Sequence, residues 1–242
     1  MFMNRLVVAL SCMLLTLACA GGAKAGSFKS GQFVTGTQGD WGAGGGAASL
    51  LAADYNTVYG STNGVFIVGV ENTTGQFSMY FTSAGAVESY LPATGTIGQL
   101  TATLLNPALS PAGIFGGDVV ALSLNRDFSN AGFLHGTSSI SFGDLVLTNF
   151  SLNLSGLNGL TVSQFLGVAD TCLGGGSCPY GLDNVAAITD DLNDSFPGGT
   201  PSAFAESNLA LPSSVTPEPS SLLLFGTSLL GLVPFRRKLF GR

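Results

Sequence analysis

The sequence predicts a mainly β domain, an antiparallel sandwich-like sheet, with a helical hairpin near its C-terminal end. A signal peptide precedes it and a transmembrane helix follows it. Three observations carry this expectation. Between residues 66 and 154, apolar side chains recur with period two in short runs broken by turn residues. After Gly159 the period becomes helical. The chain also holds 35 glycines and only 9% charged residues, which suits a Gly-, Ser- and Thr-rich extracellular β protein rather than a protein built mostly of membrane spans.

Residues 1–25 read as a secretory signal. Asn4 and Arg5 precede the apolar run Leu6–Leu17, and Ala23-Lys24-Ala25 offers small residues at the −3 and −1 positions. The predicted cut falls between Ala25 and Gly26, with Ala18-Cys19-Ala20 as an alternative site, and Cys12 and Cys19 leave with the signal. The exported domain is assigned to 26–212 and a C-terminal tail to 213–242.

Within the domain, the Gly-rich stretch Ser27–Ser49 contains the single Trp41, expected to pack onto the domain edge. A sugar-stacking role for it rests on one aromatic only. Leu50–Tyr55 reads as a short helix or a strand lead-in. Phe66, Val68 and Val70, then a turn at Asn72–Gly75, then Phe77, Met79 and Phe81 form a β-hairpin with one buried face. Ala86–Leu91 is a candidate strand halted by Pro92. Gly116-Gly117-Asp118 opens a strand with Val120, Leu122 and Leu124 on one face. Ile140 and Phe142, Leu145 and Leu147, then Phe150, Leu152 and Leu154 change parity twice, which predicts bulges or tight turns between short antiparallel strands.

Val162, Phe165, Leu166, Ala169 and Leu173 lie on one helical stripe, with Thr161 and Gln164 as a capping box. A second helix begins near Asp183 and turns Val185, Ile188, Leu192 and Phe196 to the core, until Pro197-Gly198-Gly199 ends it. Cys172 and Cys178 flank the turn between these helices. In an exported chain they are expected to pair as a structural staple.

Charge excludes one class of partner. Between Gly26 and Thr216 there are two bases, Lys29 and Arg126, against thirteen acids, a formal charge of −11. Such a surface does not bind nucleic acid through phosphate contacts; solubility and diffuse cation binding are its ordinary consequences. No catalytic constellation emerges. His135 stands in a loop without a nucleophile motif, and no Gly-x-Ser-x-Gly elbow occurs. Asp190, Asp191, Asn193 and Asp194 miss the calcium-loop pattern and read as the wet face of the second helix. No cofactor and no metal site is expected, and the chain is not expected to be an enzyme.

The tail joins three signals in order: Pro217-Glu218-Pro219, the apolar run Leu222–Phe235, and the basic cluster Arg236, Arg237 and Lys238. The prolines forbid a helix upstream, and the bases mark a cytoplasmic stop. The fourteen residues of this run reach roughly 21 Å of an about 30 Å bilayer core. Flanking serines and snorkelling basic stems extend this, so the span is set at 220–235.

These residues resemble the PEP-CTERM sorting tail of exported Gram-negative bacterial proteins. The resemblance implies processing by exosortase near Pro217-Glu218-Pro219, with the inner membrane holding an intermediate through the C-terminal helix. It also implies a destination at the cell surface or in the extracellular matrix, and a link to exopolysaccharide and biofilm. It covers about 28 of the 242 residues and says nothing of the exported domain's chemistry. A structural or interaction role is the expectation, with a polysaccharide- or calcium-binding module or a secreted hydrolase as the alternatives. The wording from Gly117 to Asn208 also resembles a module of exported bacterial surface proteins, to which no activity attaches.

Overall fold

The computed structural model describes residues 27–134 and 136–212. The signal segment 1–25 with its Ala25/Gly26 junction, His135, and the tail with its 220–235 span lie outside the described residues.

The domain is mostly helical, which corrects the expectation of a β-sandwich: helices hold 45% of the described residues and strands 10%. The elements are α1 (Gln38–Trp41), α2 (Ala48–Tyr59), β1 (Phe66–Gly69), β2 (Ser78–Phe81), α3 (Ala84–Tyr90), β3 (Leu104–Leu105), α4 (Gly113–Asn130), β4 (Val146–Leu147), α5 (Val162–Leu173), α6 (Leu182–Asn193), α7 (Ala203–Asn208) and β5 (Leu209–Ala210). Among the described residues, no helix is long and apolar enough to cross a membrane.

The segment expected to be a strand from Gly116 is the 18-residue helix α4, around which the rest packs. Fourteen of its residues are buried. Val119, Val120, Ala121, Leu122 and Leu124 are all fully enclosed, by α5 and α6 with α1 and β1 also in contact. A helix buried on every side has no polar face, so no 3.6-residue stripe shows. The alternation of Val120, Leu122 and Leu124 is what remains visible of a continuous apolar run, and length rather than period separates the two readings. Its glycines serve packing: Gly117 lies against Gln38 and Ala93, and Gly116 against the Tyr90 hydroxyl.

The hairpin does form. β1 pairs antiparallel with β2, Phe66 opposite Phe81 and Val68 opposite Met79, and these four side chains are buried. β2 pairs parallel with β3, so the sheet order is β1-β2-β3. Tyr55 of α2 completes the ladder where the strands part: its hydroxyl donates to Phe81 O at 2.6 Å and accepts from Phe66 N at 3.3 Å. Leu50–Tyr55 is therefore helical, with Leu51, Tyr55 and Tyr59 spaced by four on the buried side.

Ala86–Leu91 is not a strand: its residues up to Tyr90 belong to α3, which Leu91 caps, and the N-cap Ser83 accepts from Ala86 N. The parity shifts after Ile140 reflect 3₁₀ turns at Phe142–Asp144 and Leu152–Leu157, separated by the two-residue β4, which pairs with β5. Both predicted helices form, but α6 ends at Asn193 rather than at Pro197, so Phe196 lies beyond it, though still buried. Thr161 and Gln164 make the capping box at the start of α5, with bonds of 3.1 and 2.8 Å. Cys172 and Cys178 are bonded, with Cα atoms 4.9 Å apart, and staple the turn between α5 and α6.

Candidate functional site

Two polar constellations stand out, one sealed and one open. The sealed one is centred on Asn125 of α4. Its Oδ1 accepts from Gly36 N at 2.8 Å and Trp41 Nε1 at 3.1 Å, and its Nδ2 donates to Gly36 O at 2.8 Å and Asn193 Oδ1 at 2.9 Å. Asn193 Nδ2 in turn donates to Asp118 O, and Gln38 Nε2 to Ile114 O and Asp118 Oδ1. Every donor and acceptor of the Asn125 amide is used. This network fixes α1 and α6 on α4 and leaves no room for a ligand.

Two sequence expectations change here. Trp41 is not at the domain edge but fully buried, so its ring offers no face to a sugar. Asn193 is not on a wet face: it is buried inside the network, while Asp190 and Asp191 beside it are exposed. Among the described residues, no group of three or more His, Cys, Asp or Glu side chains is placed to hold a metal ion.

The open constellation is a groove of about 450 Å³ between β1, the C-terminal end of α2 and the last turns of α4. Tyr59, Thr62, Ile67, Arg126, Asp127 and Asn130 line it. Tyr59 stacks on Phe66 with ring centroids 4.7 Å apart, and its hydroxyl donates to Asp127 Oδ2 at 3.1 Å. Arg126 Nε donates to Asp127 Oδ1 at 2.7 Å. Burial and the neighbouring Asp127 carboxylate push the Tyr59 hydroxyl well above its ordinary value. Burial is the largest single influence on Arg126 and opposes its charge, but the bond to Asp127 and the surrounding negative charge of Asp127 and Asp170 together outweigh it, and the guanidinium stays protonated.

Asp170 of α5 is near enough to feel the Arg126 charge, and its Oδ1 accepts from Gly69 N at 2.8 Å. Burial raises its carboxyl to about 6 against the lowering effect of that bond and of Arg126. A second cleft of about 270 Å³, lined by Ser129 and Ser138–Ser141, adjoins the groove through their shared Asn130.

The sequence marks Arg126 only by its charge and carries no motif that singles out Tyr59, Asp127 or Asn130. The available signal was that Arg126 is one of two bases in a span of formal charge −11. The sorting residues Pro217, Glu218 and Pro219 and the cluster Arg236, Arg237 and Lys238 lie outside the described residues.

A mostly helical exported domain with a separate C-terminal address segment defines the class: a protein sorted through its tail. The PEP-CTERM protein-sorting motif matches residues 215–238, so this chain is an exported protein and a substrate of exosortase. The motif implies export and processing through a membrane-anchored intermediate. No curated protein and no solved structure matches the chain.

Proposed function

We propose that the protein is a non-enzymatic component of the cell surface or extracellular matrix, acting by interaction within exopolysaccharide or biofilm. The observation that carries this reading is the sorting motif at 215–238, which directs an acidic, disulfide-stapled domain out of the cell. The inner membrane holds the unprocessed chain through the 220–235 segment, and exosortase acts at Pro217-Glu218-Pro219. The domain's role there is to bind or pack rather than turn over a substrate. In the open groove both oxygens of Asp127 are already bonded, to Arg126 and Tyr59, which does not suit a general acid or base.

Fractionation of the native host tests this reading. The protein is expected in the matrix fraction with the exopolysaccharide, released when the polysaccharide is digested. Recovery as a free periplasmic or medium protein, with matrix unchanged in a deletion strain, would overturn it.

A further inference from the structure

We propose that the groove over Arg126 binds a neutral, hydroxyl-rich ligand: a stretch of uncharged oligosaccharide. The inference rests on the matrix reading above and names the ligand class of its binding surface.

The groove offers unused hydrogen-bonding capacity on a rigid frame. Only Nε of Arg126 is engaged, by Asp127. Its two terminal nitrogens, with four N–H groups, make no hydrogen bond or ion pair among the described residues, and the side chain is 28% exposed. Asp127 is held from two sides and keeps spare lone pairs. Asn130 is exposed and adds an amide with both a donor and an acceptor. The frame is stiff because Arg126, Asp127 and Asn130 sit on the central helix α4, and Tyr59 clamps Asp127 from α2.

The strand edge contributes too. Val70 N bonds across to Phe77 O, whereas Gly69 N turns the other way to Asp170. By that alternation, the N–H and C=O of Ile67, a residue that lines the groove, point away from β2.

Charge selects among ligands. Arg126 and Asp127 cancel, Asp170 adds negative charge close by, and the whole span carries −11. An anion gains nothing from a fork so compensated, and the surrounding field repels it. A metal cation is repelled by the Arg126 guanidinium, and among the described residues no group of three acidic, His or Cys side chains is placed to hold it. A hydroxyl group donates and accepts at once, so it can use Asp127 and the free Arg126 nitrogens together. The cleft along Ser138–Ser141, which shares Asn130 with the groove, adds further polar surface beside it. Val58, Val65 and Ala131 supply the apolar wall against which the C–H faces of a sugar pack.

Calorimetric titration of the full chain in detergent tests this, with neutral hexasaccharides (malto-, cello- and mannohexaose) and hexagalacturonate as the acidic control. At least one neutral probe is expected to bind, with affinity unchanged by added salt, and the acidic probe to bind at least about tenfold more weakly. Asn130→Ala, at an exposed position, is expected to weaken binding about tenfold without changing thermal stability. Arg126→Lys is expected to do the same by removing the planar fork. Binding of none of the neutral probes, tighter salt-sensitive binding of hexagalacturonate, or neutral binding untouched by both variants would each overturn the proposal. If it fails while the native protein still fractionates with the matrix, the matrix reading stands; if sugars bind but the protein stays periplasmic, the matrix reading alone falls.

Discussion

The indole Nε1 of Trp41 donates to Oδ1 of Asn125 across 3.1 Å, and both residues are completely buried. The tryptophan of α1 is therefore tied to the middle of α4 by a bond that no water can replace. The same oxygen holds Gly36 N, and the amide nitrogen holds Gly36 O and Asn193.

Asn125→Ala orphans several buried groups at once. Each unsatisfied group costs roughly 1–3 kcal/mol, so the expected loss is at least about 3 kcal/mol. Trp41 is the only tryptophan, so urea unfolding followed by its fluorescence reads the change directly. A loss under about 1 kcal/mol would mean that the network is not what anchors α1 to α4.

Asp118 gives the domain a pH dependence. Burial raises its carboxyl to about 7, against the lowering effect of the Gln38 bond and with a further push from Asp190. The folded pKa lies above the unfolded one, so the folded state binds more protons between them. Stability therefore falls as pH rises from about 4 to about 7 and levels off above that. Asp170, Asp190 and Asp191 are raised as well and act in the same direction. Asp118→Asn keeps an oxygen for the Gln38 amide and removes the charge. The variant is expected to be more stable than wild type at pH about 7.5, by on the order of 2 kcal/mol, with a shallower decline. Equal slopes in denaturant titrations across this range would contradict the assignment.

Gly117→Ala sets helix propensity against packing. An exposed helical site would gain up to about 1 kcal/mol from the exchange. Here the added methyl overlaps Oε1 of Gln38 and lies 2.8 Å from Ala93 Cβ. Gln38 cannot retreat without breaking its bonds to Ala93 N, Ile114 O and Asp118. A net loss of about 2 kcal/mol is expected in thermal unfolding. Stabilisation would show that Gln38 moves freely.

Cys178→Ser opens the loop between α5 and α6. The closed loop is short, with a sequence separation of 6, so the expected cost is about 2 kcal/mol. Reductant should destabilise wild type by a similar amount and leave the variant unchanged. A reductant effect on the variant would point to a different origin for the loss.

Local signals were legible where one face of an element meets water. The Phe66–Phe81 hairpin, the Thr161–Gln164 capping box and the Val162–Leu173 stripe were readable for that reason. α4 was not, because Phe115 to Asn125 is buried on all sides and shows no periodic contrast. Together with the helix at Ala84–Tyr90 and the 3₁₀ turns at Phe142–Asp144 and Leu152–Leu157, this turned a helical domain into an expected sandwich. α2 carried a usable signal in Leu51, Tyr55 and Tyr59, but its Gly-rich approach weakened it. The groove was the least legible feature. Arg126 is far in sequence from Tyr59 and Ile67, and only the packing of α2, β1 and α4 brings them to one surface.

The central claim is that the tail is an address read by exosortase, and the intact mass of the protein from its native host tests it most directly. With the exosortase gene present, the predicted mature chain starts at Gly26 and ends near Pro217; without the gene, it runs through Arg242. A chain ending at Arg242 in both strains would contradict the account and reduce the tail to an ordinary anchor.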